Sequence, residues 1–232
     1  MSHFITAPSV TFTHAQLSAP VSLEHEPDAD VIALDADGTF RRLWPTSLVL
    51  SNFLCDNPSL VVGKRIVELG AGTGAVGLVC AQLGAASVTL TDMPDALGLL
   101  ARNAARSECS SRVRVAACTW GNAEDIDALL KADGPYDVVL CCEVVYQQTE
   151  EVLWALAQTQ LALAAPGGKV LLGYEFRGAL TTDLEYFEAT TQLFGDSVSH
   201  ALLDDGVAQG LMGQHSDDGS EDRVLYVYSL RA

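Results

Sequence analysis

The sequence predicts an α/β protein built on one doubly wound, seven-stranded sheet, with residues 1–43 forming a small N-terminal β extension of the same domain and residues 44–232 the main domain. Three observations carry that expectation. From Arg65 onward, short β-branched apolar segments alternate with longer amphipathic stretches, as strand-helix-strand crossovers require. The chain has 232 residues, 49% of them hydrophobic. That suffices for one core, since α/β domains commonly pass about 200 residues without dividing. Finally, VELGAGTGAVG over 67–77 drives an apolar strand end into Gly70, Gly72, Gly74 and Gly77 and then into a helix pattern.

The elements follow in order. Alternating stretches at Val10 to Thr13, Val21 to Glu24 and Val31 to Leu34 predict a small β hairpin or cap. Trp44-Pro45 holds the chain extended and then favours a helix start, with Leu48, Val49, Phe53 and Leu54 supplying an apolar side. Strands are expected at Arg65 to Leu69, Ser87 to Thr91, Val113 to Ala116, Val138 to Cys142, Val170 to Gly173, Val198 to Leu202 and Val224 to Ser229. Helices at 75–83, 94–106, 123–131 and 149–164 separate the first five, which must then be parallel neighbours. Another helix is expected over 181–194, with Leu184, Phe187, Leu193 and Phe194 on one face. Residues 204–223, rich in Gly, Asp and Ser, read as a connection between the last two strands.

Composition removes several partner classes. A formal net charge of −17 opposes binding to a phosphate backbone, so no nucleic acid partner is expected. The same charge suits a lysine-rich protein partner, and equally an ordinary solvated surface. Six cysteines without a C-x-x-C pair read as buried thiols in a reducing compartment, and a cytoplasmic location is expected. No leader-like start and no membrane-length apolar run occurs. His3, His14, His25, His200 and His215 have no metal-ligand spacing, so no metal is expected.

The glycines point to a nucleotide. A chain leaving a buried strand and turning at once into a helix needs positive φ and positions without a Cβ, and Gly70 and Gly72 meet both needs. The helix beginning near Thr73 then aims unpaired N–H groups at whatever lies above the turn. Gly72, Gly74 and Gly77 satisfy G-x-G-x-x-G, and Asp92 ends the next strand, where a ribose-binding acid belongs. That acid would serve a nicotinamide dinucleotide or S-adenosylmethionine equally well. Two features at the strand ends tilt the balance. Glu68 directly precedes the turn and can orient the amino-acid end of S-adenosylmethionine, directly or through water, whereas a dinucleotide would leave its charge without a use. Glu143-Val144-Val145-Tyr146 places a carboxylate and a phenol at the carboxyl edge of the sheet, where ligands of doubly wound folds bind.

Through Trp44-Pro45, VELGAGTGAVGL, LTDMPDALGLLARN, CTWGN, DVVLCCEVVY, Pro166-Gly167-Gly168 and VLLGYEFR, the chain resembles the family 16 protein methyltransferases, seven-β-strand enzymes that mostly methylate lysine in other proteins. The resemblance implies a Rossmann-like class I methyltransferase fold, S-adenosylmethionine as cofactor with S-adenosylhomocysteine as product, and a monomer acting on a protein with an accessible lysine. It further implies that Trp44 lies along the cofactor, that Gly70, Ala71 and Gly72 form the loop, with Gly74 in the same motif, and that Asp92, followed by Met93, binds ribose. Trp120 would contact adenine, at the scale of about 1 to 3 kcal/mol known for base stacking, and Cys142 would line the pocket through its backbone. Glu143 and Tyr146 would hydrogen-bond and orient the incoming amine, and Arg177 would steady a loop through an ion pair. Two positions depart from the family pattern: Glu143 stands where Asp is commoner, and Cys141 and Cys142 replace smaller residues. A small-molecule methyltransferase, a nicotinamide-dependent oxidoreductase and a cofactor-binding module without catalysis are the alternatives. A nucleic acid amino-methyltransferase would show an Asn- or Asp-Pro-Pro-aromatic stretch where this chain has EVVY.

Overall fold

In the computed structural model of the chain, strand β3 (Arg65–Leu69) lies inside the sheet, third of its seven strands, and is covered on both faces. Its side chains alternate between two cores: Ile66 packs with one cluster and Val67 and Leu69 with the other, as the period of two demands. The structure describes residues 7–26, 36–145, 148–175, 180–195, 198–202 and 225–231. The expected strand at Val31 to Leu34, the residues Tyr146 and Arg177, and the 204–223 connection lie outside them.

The first two strands, β1 (Ser9–Phe12) and β2 (Val21–Glu24), pair as an antiparallel hairpin, with Phe12, Val21 and Leu23 buried in the first core. Helix α1 (Pro45–Asp56) starts with proline in its first turn, as the Trp44-Pro45 step predicts. Then come α2 (Ala75–Leu83), β4 (Ser87–Asp92), α3 (Leu97–Arg106), β5 (Val113–Ala117), α4 (Ala123–Ala132), β6 (Tyr136–Cys142), α5 (Glu150–Leu163), β7 (Ala164–Glu175), α6 (Leu180–Phe194), β8 (Val198–Leu202) and β9 (Leu225–Arg231). The strand order is β5-β4-β3-β6-β7-β9-β8. Strands β3 to β7 are parallel, whereas β9 runs antiparallel between β7 and β8. The order reverses between β3 and β6, and the crevice above that reversal is where a doubly wound sheet accepts a ligand. No helix among the described residues is long and apolar enough to cross a membrane.

One expected helix face is corrected. In α6, Leu184 is 59% exposed, while Tyr186, Ala189, Thr190 and Phe194 are buried. Those four recur at intervals of three and four residues, and Tyr186 donates its phenol proton to Gln160 Oε1 of α5 at 3.0 Å. Leu184 stands two positions before Tyr186, about 200° around the helix, and so faces water.

Close approach of α2 to the sheet depends on Gly77. A Cβ there would overlap Leu90 and lie 2.6 Å from Glu68 Oε2, both held in the core. Gly77→Ala should lower the unfolding free energy by about 1 to 3 kcal/mol in urea denaturation, the cost of overpacking. Gly98→Ala is the control, because a Cβ there meets nothing nearer than Arg102 Nη1 at 3.9 Å. It should leave stability unchanged or raise it by up to about 1 kcal/mol through better helix propensity.

Candidate functional site

The ends of four strands, β3, β4, β5 and β6, the first half of α5 and one N-terminal segment build the site, with Cys118 and Trp120 coming from the end of β5. The first strand end is the turn after β3. Gly70, Gly72 and Gly74 have φ of +65°, +54° and +80°, conformations that only glycine adopts readily. A Cβ on Gly70 would stand 2.8 Å from Val144 Cγ1 and 3.2 Å from Trp120 Cζ2, so the loop carries no side chain where those walls converge. Ala71 donates its N–H to the Thr91 carbonyl at 2.9 Å, which stitches the loop to β4.

Asp92 closes β4, and its carboxylate accepts two backbone N–H groups, from Gly72 at 2.7 Å and Met93 at 2.8 Å. Burial pushes its pKa up, and these two bonds oppose the rise. Glu68 behaves more strongly. It shares the face of Ile66, beneath α2, and its Oε2 accepts the Gly77 N–H at 2.9 Å. Burial raises its carboxyl from 4.5 to about 8; the Gly77 bond works against that rise, and the Asp92 charge adds to it.

The turn after β6 supplies Glu143. This residue is buried, donates its backbone N–H to the Gly173 carbonyl at 2.9 Å, and has φ of +57°. A non-glycine residue in the left-handed region costs about 1 to 2 kcal/mol, and such strain concentrates at functional sites. Next to it, Cys142 Sγ lies 3.6 Å from Ser47 Oγ of α1. The thiols of Cys142 and Cys118 are pushed up, chiefly by burial, Cys118 to about 12. Neither is a thiolate near neutrality, so nucleophilic catalysis by cysteine finds no support.

Together these groups surround a cavity of about 480 Å³, within the usual range for a small-molecule site. Glu143 lines it, as do nine of the residues expected to hold a cofactor: Trp44, Glu68, Gly70, Ala71, Gly72, Asp92, Met93, Trp120 and Cys142. Gly74 does not. It is the N-cap of α2, and a Cβ on it would meet Leu100 Cδ1 at 2.7 Å, so its glycine serves packing rather than the cavity. Sequence reasoning missed Thr39, Phe40, Arg42 and Ser47, which also line the cavity. A 3-10 turn over Ala36–Arg41 brings the first two into place, and the Trp44 indole N–H bonds the Thr39 carbonyl at 3.2 Å. Of these only Ser47 had any signal in the sequence, its place in the first turn of the proline-started helix. Among the described residues no cluster suited to a metal ion occurs.

Residues 30–193 match the family described as lysine methyltransferase. The chain belongs to that family. The chain is 41% identical over 143 residues to a zebrafish (Danio rerio) protein named protein N-lysine methyltransferase METTL21A, across 60% of this chain and 62% of that protein. It is 34% identical over 141 residues to mouse (Mus musculus) EEF1A lysine methyltransferase 3, across 60% of this chain and 57% of the relative. The chain thus spans about 60% of the length of these curated relatives. Solved structures show the fold. A ribosomal protein L11 methylase from Lactobacillus delbrueckii subsp. bulgaricus superposes with a TM-score of 0.51 at 15% identity, covering 81% of this chain and 79% of its own. SMU.776, a structure complexed with SAH, superposes with a TM-score of 0.60 at 11% identity, covering 97% of this chain and 57% of its own.

The buried Glu68 sets a pH dependence. An unfolded glutamate releases its proton near about 4.3, but the folded chain holds this one until about 8, so folding takes up a proton between those values and stability falls as pH rises. The contribution is fully present below about pH 4 and lost above about pH 8. Glu68→Gln keeps an acceptor for the Gly77 N–H and never ionises. Chemical denaturation at pH values from about 5 to about 8 should show the variant gaining on the wild type steadily; a constant difference would mean that Glu68 ionises normally.

Proposed function

We propose that the chain is an S-adenosylmethionine-dependent methyltransferase that transfers methyl to the ε-amino group of lysine in a partner protein. The observation that carries this reading is the strained Glu143, aimed from the end of β6 at the reversal of strand order, in one cavity with the glycine loop. The relatives' names, protein N-lysine methyltransferase and EEF1A lysine methyltransferase, support a protein as substrate. Six free thiols fit a reducing compartment, the cytoplasm.

The cavity fits the cofactor. Its bare glycine turn leaves room that a Cβ at Gly70 would fill, and its lining joins two indoles to carboxyl groups. Asp92 would hold the ribose hydroxyls beside Met93, Trp120 would pack on adenine, and Trp44, Ala71, Gly72 and Cys142 would flank the remainder. Glu68 would face the amino-acid end. When bound, S-adenosylmethionine supplies an electrophilic methyl on a sulfonium, and an in-line displacement then requires an aligned, neutral amine in a dry site.

Lysine, with a reference pKa of about 10.4, arrives as ammonium. Burial favours its neutral form, whereas nearby carboxylates favour the charged one. Glu143 and Tyr146 therefore act as hydrogen-bond acceptors that orient the nitrogen lone pair toward the methyl carbon, and the proton leaves to water or transiently through one of them. Glu143 also explains its own backbone: a positive φ at the last turn of β6 directs the longer carboxylate of Glu, in place of Asp, into the cavity.

Glu143→Ala should reduce methyl transfer at least about 100-fold, as loss of an acid-base or orienting group does, with S-adenosylhomocysteine affinity within a few fold of wild type in calorimetric titration. Glu143→Gly should be equally inactive yet about 1 kcal/mol more stable than Glu143→Ala, because glycine tolerates positive φ. Equal loss of transfer and of binding would assign Glu143 to cofactor binding or folding. Mass spectrometry of protein extracts incubated with the enzyme and labelled S-adenosylmethionine reads the substrate, and label confined to metabolites would replace the protein substrate by a small molecule.

A further inference from the structure

Four acidic residues line the cavity, Glu68, Asp92, Glu143 and Glu151, and among the described residues that line it there is one basic residue, Arg42. Its place is defined from both sides. Two residues earlier, the Phe40 carbonyl crosses the glycine loop, 3.2 Å from where a Cβ on Gly72 would stand. Five residues later, Ser47 meets Cys142 at the end of β6. Between them the backbone is pinned, because the Arg42 N–H bonds the Thr39 carbonyl at 3.3 Å and the Trp44 indole bonds the same oxygen. Arg42 thus sits on a fixed strap that spans the cavity from the glycine loop to β6.

The amino-acid end of S-adenosylmethionine brings one ammonium and one carboxylate. The ammonium has several acidic neighbours to choose from. The carboxylate meets repulsion from those neighbours, and an anion taken from water without a partner is expensive. A guanidinium answers that need, since its planar fork matches a carboxylate with two parallel N–H bonds and does not deprotonate. We propose that Arg42 holds the α-carboxylate of the cofactor, an assignment that rests on the S-adenosylmethionine reading above. Arg42 thereby makes the N-terminal strap a part of the cofactor site, and it selects ligands that carry an amino-acid tail over bare nucleosides.

The test compares two ligands that differ by the carboxylate alone: S-adenosylhomocysteine and its decarboxylated analogue, S-adenosyl-3-thiopropylamine. In calorimetric titration, wild type should prefer S-adenosylhomocysteine by about 10- to 100-fold, the range for a charge-assisted pair. Arg42→Met, which keeps side-chain length without charge, should reduce that preference to about threefold or less while binding of the analogue stays nearly constant; Arg42→Lys should retain part of it. A wild type indifferent to the carboxylate, or an Arg42→Met variant that keeps the full preference, would overturn the assignment. A parallel loss of both ligands in Arg42→Met and Arg42→Lys would do the same, since it marks a packing role. Wild type binding neither compound would instead overturn the cofactor reading itself, and the assignment with it.

Discussion

The bond between the Glu68 carboxyl and the Gly77 N–H is the interaction on which the site is built. A strand that ends beneath a helix must reverse within a few residues, and the helix then begins with N–H groups that its own turn cannot satisfy. No side chain caps α2 from its N-cap position, where Gly74 stands. Glu68 does so from below, reaching one N–H of the first turn from the strand it has just left. Because that partner comes from β3, the helix start and the strand end cannot shift independently, and the glycine loop between them keeps its three positive φ angles. Asp92 completes the arrangement by holding Gly72 from the neighbouring strand.

This construction concentrates acid in a small, buried volume. Glu68 and Asp92 both have raised pKa values, chiefly from burial, and each is offset by backbone N–H bonds rather than by a cation. Such an environment suits a ligand that arrives with positive charge, as a sulfonium and two ammonium groups do. In the proposed reaction it would also set a conflict for lysine, since carboxylates hold an amine in its charged form while desolvation releases it. Glu143 is held there by its backbone bond to the Gly173 carbonyl, which in the proposed reaction would fix the group that orients the amine.

The N-terminal segment is bound into the same network. Asn103 of α3 is fully buried; its Oδ1 accepts the Glu24 N–H at 2.8 Å, and its Nδ2 donates to the carbonyls of Glu24 and Thr73, each at 2.9 Å. One amide therefore joins the β1-β2 hairpin to the glycine loop. Ion pairs of Glu24 with Arg102 and Arg106 surround it at the surface, where they contribute little compared with a buried, fully satisfied amide.

How far the sequence reaches can be judged from particular residues. Periodicity placed β3 and α2 to the residue, because a strand buried on both faces and a helix starting at a glycine turn are written in local pattern. The glycine fingerprint and Asp92 are legible for the same reason, since each sits at a fixed distance from a strand end, whereas Trp120 comes only through the family resemblance. Local pattern could not reveal that Gly74 faces Leu100 rather than the cavity, nor that Leu184 points outward, because both depend on which neighbour a helix packs against. It could not show that Glu68 caps α2, which follows from the face on which the sheet sets it. Thr39, Phe40 and Arg42 carried no signal at all: they reach the cavity through a turn whose position is decided by contacts with Gly72, some thirty residues away in sequence. The sequence by itself determined the order of strands and helices and the chemistry at the strand ends, through interactions spanning a few residues. Only the tertiary structure decided which side chains converge, because convergence depends on packing between segments that local periodicity does not relate.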